Sequence, residues 1–456
     1  MTEQLKLKLN DSKATRWGAL VIVAFTMMAA YYVNDVVAPL KTMLETDLAW
    51  SSTDFGFFTG GYSFLNVFFL MLIWGGLILD RFGIRFTGKL ATILMVGGTA
   101  LEYYAMTGLA GADATLFGIN EIFGYKTGVF VAFAGYSIFG VGAEVAGITV
   151  SKIIAKWFKG KELATAMGVQ VALARIVAIP LARAFGISTP VLLGLVLLLG
   201  GMIAFFIFAV MDKKLDKQME AAAIAAGTED EEEKFSFKDV KNILVNPGFW
   251  LIALLCVLFY SCVFPFQKFA SELMIIKYGI NENVAGTFAG LPALGALILT
   301  PVFGGFIDKR GKSASIMLLG SAMLICVHFI YAIPDINYWL VAIVLMIILG
   351  IAFSLVPSAM WPAVAKIFPV SQLGTAYALI FFIQNIGLWG IPTLIGWVLD
   401  AYCISGKKPD GTNMYDYTVP MCIFTGIACL SLIVALLLKK ADKKYGYKLE
   451  EPNIQK

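Results

Sequence analysis

The chain is poor in the residues that enzymes use, with one histidine among 456 residues and only 14% charged residues. It contains neither a His-Glu-x-x-His nor a Gly-x-Gly-Asp pattern, which argues against a hydrolase that works inside a membrane. Its six cysteines lack metal-ligand spacing, so neither a metal nor another cofactor is expected. A soluble globular protein carries about a quarter charged residues. The shortage of charge therefore favours a membrane protein.

Apolar residues, by contrast, make up 59% of the chain, and the mean hydropathy is +0.80. A helix needs roughly 20 apolar residues to cross a bilayer. The sequence predicts an all-α membrane protein with twelve transmembrane helices in two six-helix bundles, at 17–43, 54–79, 87–108, 128–156, 162–186, 189–211, 248–276, 283–307, 313–333, 337–368, 371–399 and 418–438. Residues 212–247 form a polar linker between the bundles 1–211 and 248–456.

The distribution of lysine and arginine predicts the orientation. On the side of the termini we count 27 of these residues, against five on the opposite side. Positive charge stays in the cytoplasm, so both termini are expected there. The basic residues cluster at helix ends, which argues against nucleic-acid binding.

A glycine-rich, charged tract occurs twice. Residues 75–85 read Gly-Gly-Leu-Ile-Leu-Asp-Arg-Phe-Gly-Ile-Arg, and residues 304–312 read Gly-Gly-Phe-Ile-Asp-Lys-Arg-Gly-Lys. The repeat lies half a chain apart, which is typical of transporters that rock two bundles about a central site. We expect the conformational gating motif to consist of Gly76, Asp80, Arg81, Gly83, Arg85, Asp308, Lys309 and Arg310.

Four charged residues within predicted crossings stand out as candidates for a site: Asp35, Glu144, Arg175 and Lys268. A charge near the bilayer centre costs roughly 2.5–3.5 kcal/mol on insertion scales, and such residues usually face a cavity or a partner. Glu144 and Arg175 lie on adjacent helices, both ~18–20 Å above the cytoplasmic face at 1.5 Å per residue. They are expected to pair, either as a structural salt bridge or as a substrate site that the substrate opens.

Further polar and aromatic residues are candidates for a substrate cavity. Tyr31 and Tyr32 precede Asp35, and this group indicates either a cavity wall or an interfacial position. Lys268 follows a helix proline and either faces the cavity or reaches outward. In the second half, Trp361, Gln384 and Asn385 are either cavity residues or hydrogen-bonding contacts between helices.

The tract with Gly76, Leu77, Asp80, Arg81, Gly83 and Arg85 resembles the loop 2–3 signature of the major facilitator superfamily. Further stretches resemble the family of lysosomal dipeptide uniporters and its prokaryotic relatives. They are residues 157–163 (Trp-Phe-Lys-Gly-Lys-Glu-Leu), 170–176, 263–266 (Val-Phe-Pro-Phe), 359–362 (Ala-Met-Trp-Pro), 372–377 and 383–387. In the superfamily, the signature ties cytoplasmic helix ends together when the outside is open.

This resemblance implies dipeptide transport by rocker-switch alternating access in its facilitative form, uniport. The family's acidic residues fall on Glu144 and Asp35, and its arginine falls on Arg175. Glu144 would receive the substrate ammonium and Arg175 its carboxylate. The family's helix 7 basic residue falls on Ser271, so Lys268 is a conjectural replacement.

Other functions stay open at this point. A dicarboxylate exchanger could use Arg175 and Lys268, although Glu144 would repel a dianion. A proton-coupled peptide symporter could load protons on Glu144 and Asp35, but the first helix lacks a Glu-x-x-Glu-Arg tract. A receptor without transport would be expected to carry a signalling domain.

The sequence also bears on location and partners. The loops opposite the termini are short, and the one Asn-x-Ser pattern, at Asn10, lies on the cytoplasmic side. We therefore expect a bacterial inner-membrane protein, a monomer in the lipid bilayer, with dipeptides as partners and without an accessory glycoprotein.

Overall fold

The structure is a computed structural model that describes residues 9–111, 114–157, 181–226, 237–368, 370–408 and 410–452. These residues are almost entirely helical. The helices are α1 (Lys13–Val36), α2 (Lys41–Asp47), α3 (Ser52–Phe68), α4 (Met71–Thr107), α5 (Thr127–Trp157), α6 (Thr189–Ala226), α7 (Phe237–Val245), α8 (Pro247–Tyr278), α9 (Glu282–Ala289), α10 (Leu291–Arg310), α11 (Ser313–Ala332), α12 (Trp339–Ile367), α13 (Val370–Tyr402) and α14 (Thr418–Tyr445).

Two short antiparallel hairpins connect helices. Strand β1 (Glu121–Ile122) pairs with β2 (Tyr125–Lys126) before α5. Strand β3 (Ile404–Lys407) pairs with β4 (Asn413–Tyr415) between α13 and α14. Both hairpins lie at the face that carries α2, since Lys126 donates to the Ala49 carbonyl just after α2 and Lys408 donates to Glu45 in α2.

Within the described ranges, nine helical stretches are long and apolar enough to cross a membrane, or ten if α3 and the start of α4 count as one bent span. The predicted crossing 87–108 lies inside α4. The predicted crossing 162–186 falls mostly outside the described residues. Multiple membrane crossings are thus found, whereas the number twelve stays a prediction.

The predicted crossing 54–79 is bent, because it is divided between two helices. Helix α3 ends at Phe68, α4 begins at Met71, and the two axes differ by 59°. Leu70 has a φ of 53° at this break, a left-handed conformation that is unusual for leucine. A second break in α4 lies at Gly83, where φ is 75° and ψ is 175°. A residue with a side chain rarely adopts that backbone conformation.

Small residues allow α4 and α5 to pack with their backbones close together. A Cβ added at Gly135 would lie 2.6 Å from the carbonyl oxygen of Gly98. One added at Gly142 would lie 2.7 Å from the carbonyl oxygen of Ala91. Such distances are shorter than real contacts, so glycine is required where these helices meet.

The helices place both chain ends at one face. The Leu9 amide donates to Gln218 near the end of α6 at 2.8 Å. The Tyr447 hydroxyl donates to Asn246, just before α8, at 3.0 Å. We call this side the termini face, and the opposite side, which carries α2 and both hairpins, the distal face. The halves before and after residues 212–247 are called the first and second half.

Candidate functional site

Glu144, the acid predicted at the centre of the site, lies half-buried on α5. Its Oε1 accepts a hydrogen bond from the Tyr62 hydroxyl of α3 at 3.0 Å. Tyr31 of α1 lies within electrostatic range of Glu144 and of Asp35, and 40% of Tyr31 is exposed. Tyrosines from two other helices of the first half, α1 and α3, therefore lie near this carboxylate. Its predicted partner Arg175 lies outside the described residues, so their pairing stays a prediction.

Aromatic residues connect this region to the second half. The Tyr260 hydroxyl of α8 interacts with Tyr31 of α1 and with Trp361 of α12. Trp361 stacks on Phe381 of α13 at 4.8 Å between ring centroids. The Tyr377 hydroxyl donates to the Trp361 carbonyl at 2.9 Å. The predicted residues Tyr31 and Trp361, one from each half, are thus brought to the same place between the bundles.

Gln384 and Asn385 are both buried on α13. Gln384 Oε1 accepts a hydrogen bond from the Cys256 thiol of α8 at 3.4 Å. Asn385 donates to the Phe381 carbonyl of its own helix at 2.9 Å, and its Oδ1 has no hydrogen-bond partner among the described residues. Gln384 therefore makes the hydrogen bond between helices that was one of its two predicted roles.

Lys268 points into the protein and joins the two halves. Its Nζ donates to the Asn34 carbonyl of α1 at 2.6 Å and lies 3.2 Å from the Tyr136 hydroxyl of α5. The side chain of Asn34 donates in turn to Asp35 at 3.4 Å. The structure thus places a cation of the second half beside the predicted acid Asp35, and it excludes the outward-reaching reading of Lys268.

The prediction that Tyr32 lines the cavity with Tyr31 is wrong. The Tyr32 hydroxyl donates to the Pro190 carbonyl at 3.2 Å, and only 5% of the residue is exposed. Its ring lies beside Gly194 of α6. Successive residues of a helix point about 100° apart, so the two tyrosines face different neighbours.

A carboxyl group that the sequence analysis overlooked lies on α4. Glu102 is fully buried, and neither of its side-chain oxygens has a hydrogen-bond partner among the described residues. Lys268 is the cation whose charge acts on it. Glu102 stands between Leu101 and Tyr103 near the end of a predicted crossing, a position that reads as interfacial in the sequence.

The distal face carries a second group of charges that was not predicted. Lys41 of α2 is 1% exposed and lies 2.5 Å from Glu45 of its own helix and 2.5 Å from Glu272 of α8. Lys408, beside β3, lies 3.4 Å from Glu45 and 3.5 Å from Glu272. The Tyr417 hydroxyl donates to Glu272 at 2.5 Å. We call Lys41, Glu45, Glu272, Lys408 and Tyr417 the distal cluster.

The distal cluster balances its charges across the two halves. Two ammonium groups face two carboxylates, so each buried ion has an opposite partner. Removing one partner of such a pair leaves an uncompensated charge, typically at a cost of about 3–5 kcal/mol. Burial and the neighbouring Glu272 carboxylate raise the pKa of Tyr417 well above its usual value. Tyr417 therefore stays protonated and keeps its hydrogen bond to Glu272.

Backbone contacts close the same face. A Cβ at Gly56 of α3 would lie 2.5 Å from the Pro392 carbonyl and 3.0 Å from Gly396 Cα of α13. The Asp400 carboxylate accepts hydrogen bonds from the backbone amides of Ser52 at 3.3 Å and Thr53 at 2.5 Å. The first amides of a helix lack internal partners and favour anions. Asp400 of the second half thus binds the N-terminus of α3 in the first half.

The predicted gating motif lies at the termini face. Gly83 supplies the positive φ at the bend in α4. Arg85 Nη1 lies 3.1 Å from Asp216 of α6, which is in the same half. The Arg81 guanidinium lies 5.6 Å from the Phe82 ring centroid. In the repeated tract, the Arg310 guanidinium lies 6.0 Å from the Phe306 ring, and Asp308 acts electrostatically on Lys366 of α12.

Three remaining residues of the motif differ in what the structure shows for them. Gly76 lies within α4, and nothing is within 4 Å of a Cβ placed there. Lys309 is exposed in the last turn of α10. Asp80 belongs to α4, and its side chain is outside the described set. The gating role of the motif stays a prediction.

Comparison with characterised proteins identifies relatives along almost the whole chain. The human lysosomal dipeptide transporter MFSD1 is 28% identical over 451 residues, which cover 95% of this chain and 88% of the human protein. The zebrafish (Danio rerio) MFSD1 is 26% identical over 93% of this chain and 86% of its own length.

Solved structures show the same fold. A peptide transporter POT superposes with a TM-score of 0.64, at 14% identity over 95% of both chains. A D-xylose-proton symporter superposes with a TM-score of 0.65, at 15% identity over 92% of this chain and 97% of its own. The family model of the Major Facilitator Superfamily matches residues 20–392 and 273–451. The chain is therefore a multi-pass integral membrane protein that belongs to the Major Facilitator Superfamily, a family of transporters rather than enzymes.

Proposed function

We propose that the chain transports dipeptides by rocker-switch alternating access. The observation that carries this proposal is the pair of charges on opposite halves: Glu144 among tyrosines of the first half, and Lys268 reaching across from the second. A dipeptide carries an ammonium and a carboxylate at its two ends. Glu144 would receive the ammonium, while Arg175 and Lys268 would receive the carboxylate, with Asp35 beside Lys268.

The aromatic residues between the halves fit a peptide substrate. Tyr31, Tyr260 and Trp361 offer apolar faces together with hydroxyl and indole groups. Such a surface binds a variable side chain without selecting strictly for one. The names of the human and zebrafish relatives, dipeptide transporters, support the same substrate class.

The distal cluster supports a two-state mechanism. In this conformation the two halves are joined at the distal face by Lys41, Glu272 and Asp400. We propose that this is the state closed at the distal face, with the cavity reached from the termini face. The distribution of basic residues supports a cytoplasmic position for the termini face. A bacterial inner membrane and a monomer complete the proposal.

A dicarboxylate exchanger is less well supported because Glu144 would repel a dianion unless it stayed paired. Symport of dipeptides with protons requires a carboxyl group that binds a proton in one conformational state only, whereas uniport does not. We propose uniport as the form of transport, with proton-coupled symport as the alternative.

A ligand-induced thermal shift tests the substrate class. A ligand that binds the folded state raises its stability in proportion to RT ln(1 + [L]/Kd). A dipeptide library should raise the melting temperature of the purified protein, whereas oxalate-like dicarboxylates should not. N-acetylated dipeptides, which lack the ammonium, should lose the effect.

The site assignment is tested with Glu144→Gln. A hydrogen bond to a charged group is worth about 1.5–3 kcal/mol, so dipeptide affinity should fall by roughly ten- to a hundredfold. Tyr62→Phe should weaken binding less, and Glu121→Gln, an exposed acid on β1, should leave it unchanged. No shift with any dipeptide would overturn the function, and equal shifts in wild type and Glu144→Gln would overturn the site.

A further inference from the structure

Two tight turns between α4 and α5 each present a phenylalanine at the distal face. In the first turn, the residues on either side of Phe117 and Gly118 exchange two backbone hydrogen bonds of 3.0 Å. In the second turn, strands β1 and β2 pair on either side of Phe123 and Gly124. The same pair of residue types therefore stands at the centre of both turns. We call residues 114–126, which contain both turns, the aromatic loop.

The backbone of both turns is unusual for phenylalanine. The φ angles are 54° at Phe117 and 78° at Gly118. They are 53° at Phe123 and 80° at Gly124. Positive φ at both central residues is the mark of a type I′ turn, which favours Asn-Gly, Asp-Gly or Gly-Gly. A bulky residue at positive φ is an outlier because its side chain crowds the backbone. Phenylalanine therefore brings more backbone strain to both turns than asparagine would.

Packing within the described part of the chain does not offset this strain. Phe117 is 95% exposed and Phe123 is 88% exposed, the highest values for large apolar side chains among the described residues. Ile119, which lies between the two turns, is 50% exposed. Contiguous exposed apolar surface usually marks a site that contacts a membrane or another protein. The two rings therefore indicate a binding surface.

The aromatic loop is attached directly to a helix that is long and apolar enough to cross a membrane. That helix, α5, begins at Thr127, whose hydroxyl donates to the Ile119 carbonyl of the loop at 2.8 Å. The ring centroid of Phe123 lies 5.9 Å from that of Phe130, which lies 6.1 Å from that of Phe133. The rings of the loop thus continue into the part of α5 that lies in the bilayer.

The charges of the aromatic loop also fit a lipid surface. The loop contains one acid, Glu121, and one base, Lys126, which donates to the Ala49 carbonyl just after α2. The other hairpin of the distal face, β3–β4, has the polar sequence Lys-Lys-Pro-Asp-Gly-Thr at residues 407–412. Of two hairpins at one face, one therefore has an apolar tip and the other a charged tip.

We propose that the aromatic loop is a membrane anchor, in which Phe117 and Phe123 insert among the lipid headgroups on the distal side, beside the end of α5. Elements that lie on a membrane bury Trp, Phe and Leu at the boundary between headgroups and acyl chains. Removal of the two rings from water offsets the backbone strain of both turns. The anchor holds the distal end of the first half at a fixed depth. It goes beyond the proposed function, since it does not depend on which substrate is carried.

Photo-crosslinking of the full-length protein tests the anchor. The photoreactive residue p-benzoylphenylalanine replaces Phe117 or Phe123, and the protein is reconstituted in vesicles of phosphatidylethanolamine and phosphatidylglycerol. After irradiation, mass spectrometry of the peptides should find phospholipid adducts at both positions. The same photoreactive residue in place of Lys407, exposed on the charged hairpin, is the control and should give several-fold fewer adducts.

A double variant tests whether the phenyl rings are the cause. Phe117→Asn with Phe123→Asn keeps both turns, because Asn-Gly is favoured in type I′ turns, so the melting temperature in detergent should not fall. A photoreactive residue in place of Ile119 should form lipid adducts in the otherwise unchanged protein and lose most of them in the double variant. Adducts that persist there overturn the role of the rings.

The crosslinked products distinguish lipid from other partners. Lipid adducts at both phenylalanine positions, with few at Lys407, support the anchor. Adduct yields no higher than at Lys407 overturn it, as does crosslinking to a second copy of the chain in the vesicles. In cell membranes, crosslinks to another protein in place of lipid would identify a protein-docking surface and equally overturn the anchor.

Discussion

Lys41 of α2 and Glu272 of α8 form a buried ion pair, 2.5 Å between Nζ and Oε2, that joins the two halves of the chain at the distal face. The same ammonium also lies 2.5 Å from Glu45. One cation therefore separates two carboxylates, one from each half. If the halves part during transport, this arrangement must be broken and reformed in every cycle.

Replacement of Lys41 by methionine should destabilise the protein strongly. Loss of the ammonium leaves Glu45 and Glu272 facing each other, with Lys408 as the remaining cation at 3.4 and 3.5 Å. Removing one partner from a buried pair costs about 3–5 kcal/mol. Thermal unfolding of the purified protein measures this loss. Lys407→Met, at an exposed position on β3, is the matched control.

A second replacement tests the cause of that loss. Combining Lys41→Met with Glu272→Gln removes the uncompensated carboxylate and should recover part of the stability. An unchanged melting temperature in Lys41→Met would show that the ion pair does not hold the closed state together.

Tyr417→Phe should have a smaller effect that depends on pH. The lost hydrogen bond to Glu272 is worth about 1–3 kcal/mol at neutral pH. Burial and the Glu272 carboxylate raise the pKa of Tyr417 above the ordinary value of 10.0. The native state therefore holds this proton more tightly than the unfolded state, so the stabilisation is complete below about pH 10 and declines above it.

Unfolding of wild type and Tyr417→Phe between neutral pH and pH 11 checks this prediction. The difference in free energy of unfolding should shrink above about pH 10. Tyr338→Phe, at a residue 58% exposed, should match wild type throughout. A constant difference over the whole range would contradict a raised pKa for Tyr417.

Gly56→Val should prevent closure of the distal face. A Cβ at this position would lie 2.5 Å from the Pro392 carbonyl oxygen. This is a backbone atom, which moves less readily than the end of a flexible side chain. Overpacking of this kind costs about 1–3 kcal/mol, and here it raises the free energy of the distal-closed state. Dipeptide exchange in proteoliposomes should fall roughly tenfold, since about 1.4 kcal/mol changes a population by that factor.

Binding of dipeptide to Gly56→Val should persist, because the glycine lies away from Glu144 on the distal side. Gly426→Val is the control, since no atom lies within 4 Å of a Cβ there. Exchange by Gly56→Val at the wild-type rate would show that the α3–α13 contact is not a closing surface.

Gly83→Ala should lower stability through the backbone alone. Gly83 combines φ 75° with ψ 175°, a region almost restricted to glycine. Alanine there costs about 1–3 kcal/mol of strain. Gly76→Ala, in the helical part of the same motif with open space at its Cβ, should not be destabilised. Equal melting temperatures for the two variants would contradict this interpretation of the motif.

The sequence predicted much of the fold because apolar length and glycine patterns are local properties. The Gly83 tract and the close packing at Gly135 could be anticipated in this way. The break between Phe68 and Met71 could not, because neither proline nor glycine marks it. Leu70 takes its left-handed conformation in a stretch that reads as an uninterrupted crossing.

The sequence also predicted part of the candidate site from local properties. Glu144 and Lys268 stand out as charges within apolar segments, whereas Glu102 lies beside tyrosines near a helix end and resembles an interfacial acid. The distal cluster depends on Lys41 and Glu272, which are 231 residues apart in the chain. Pairing over such a distance is set by the tertiary fold. Tyr32 was assigned to the cavity because it is next to Tyr31 in the sequence, although neighbouring side chains point in different directions from a helix.

The contact between Asp400 and α3 has a consequence for the solvent. When the halves part, the amides of Ser52 and Thr53 lose the carboxylate that accepts their hydrogen bonds. Water must enter the widening crevice to replace it, because exposed peptide groups without partners are costly. Opening of the distal face is thus a hydration step, and osmolytes that lower water activity should slow it.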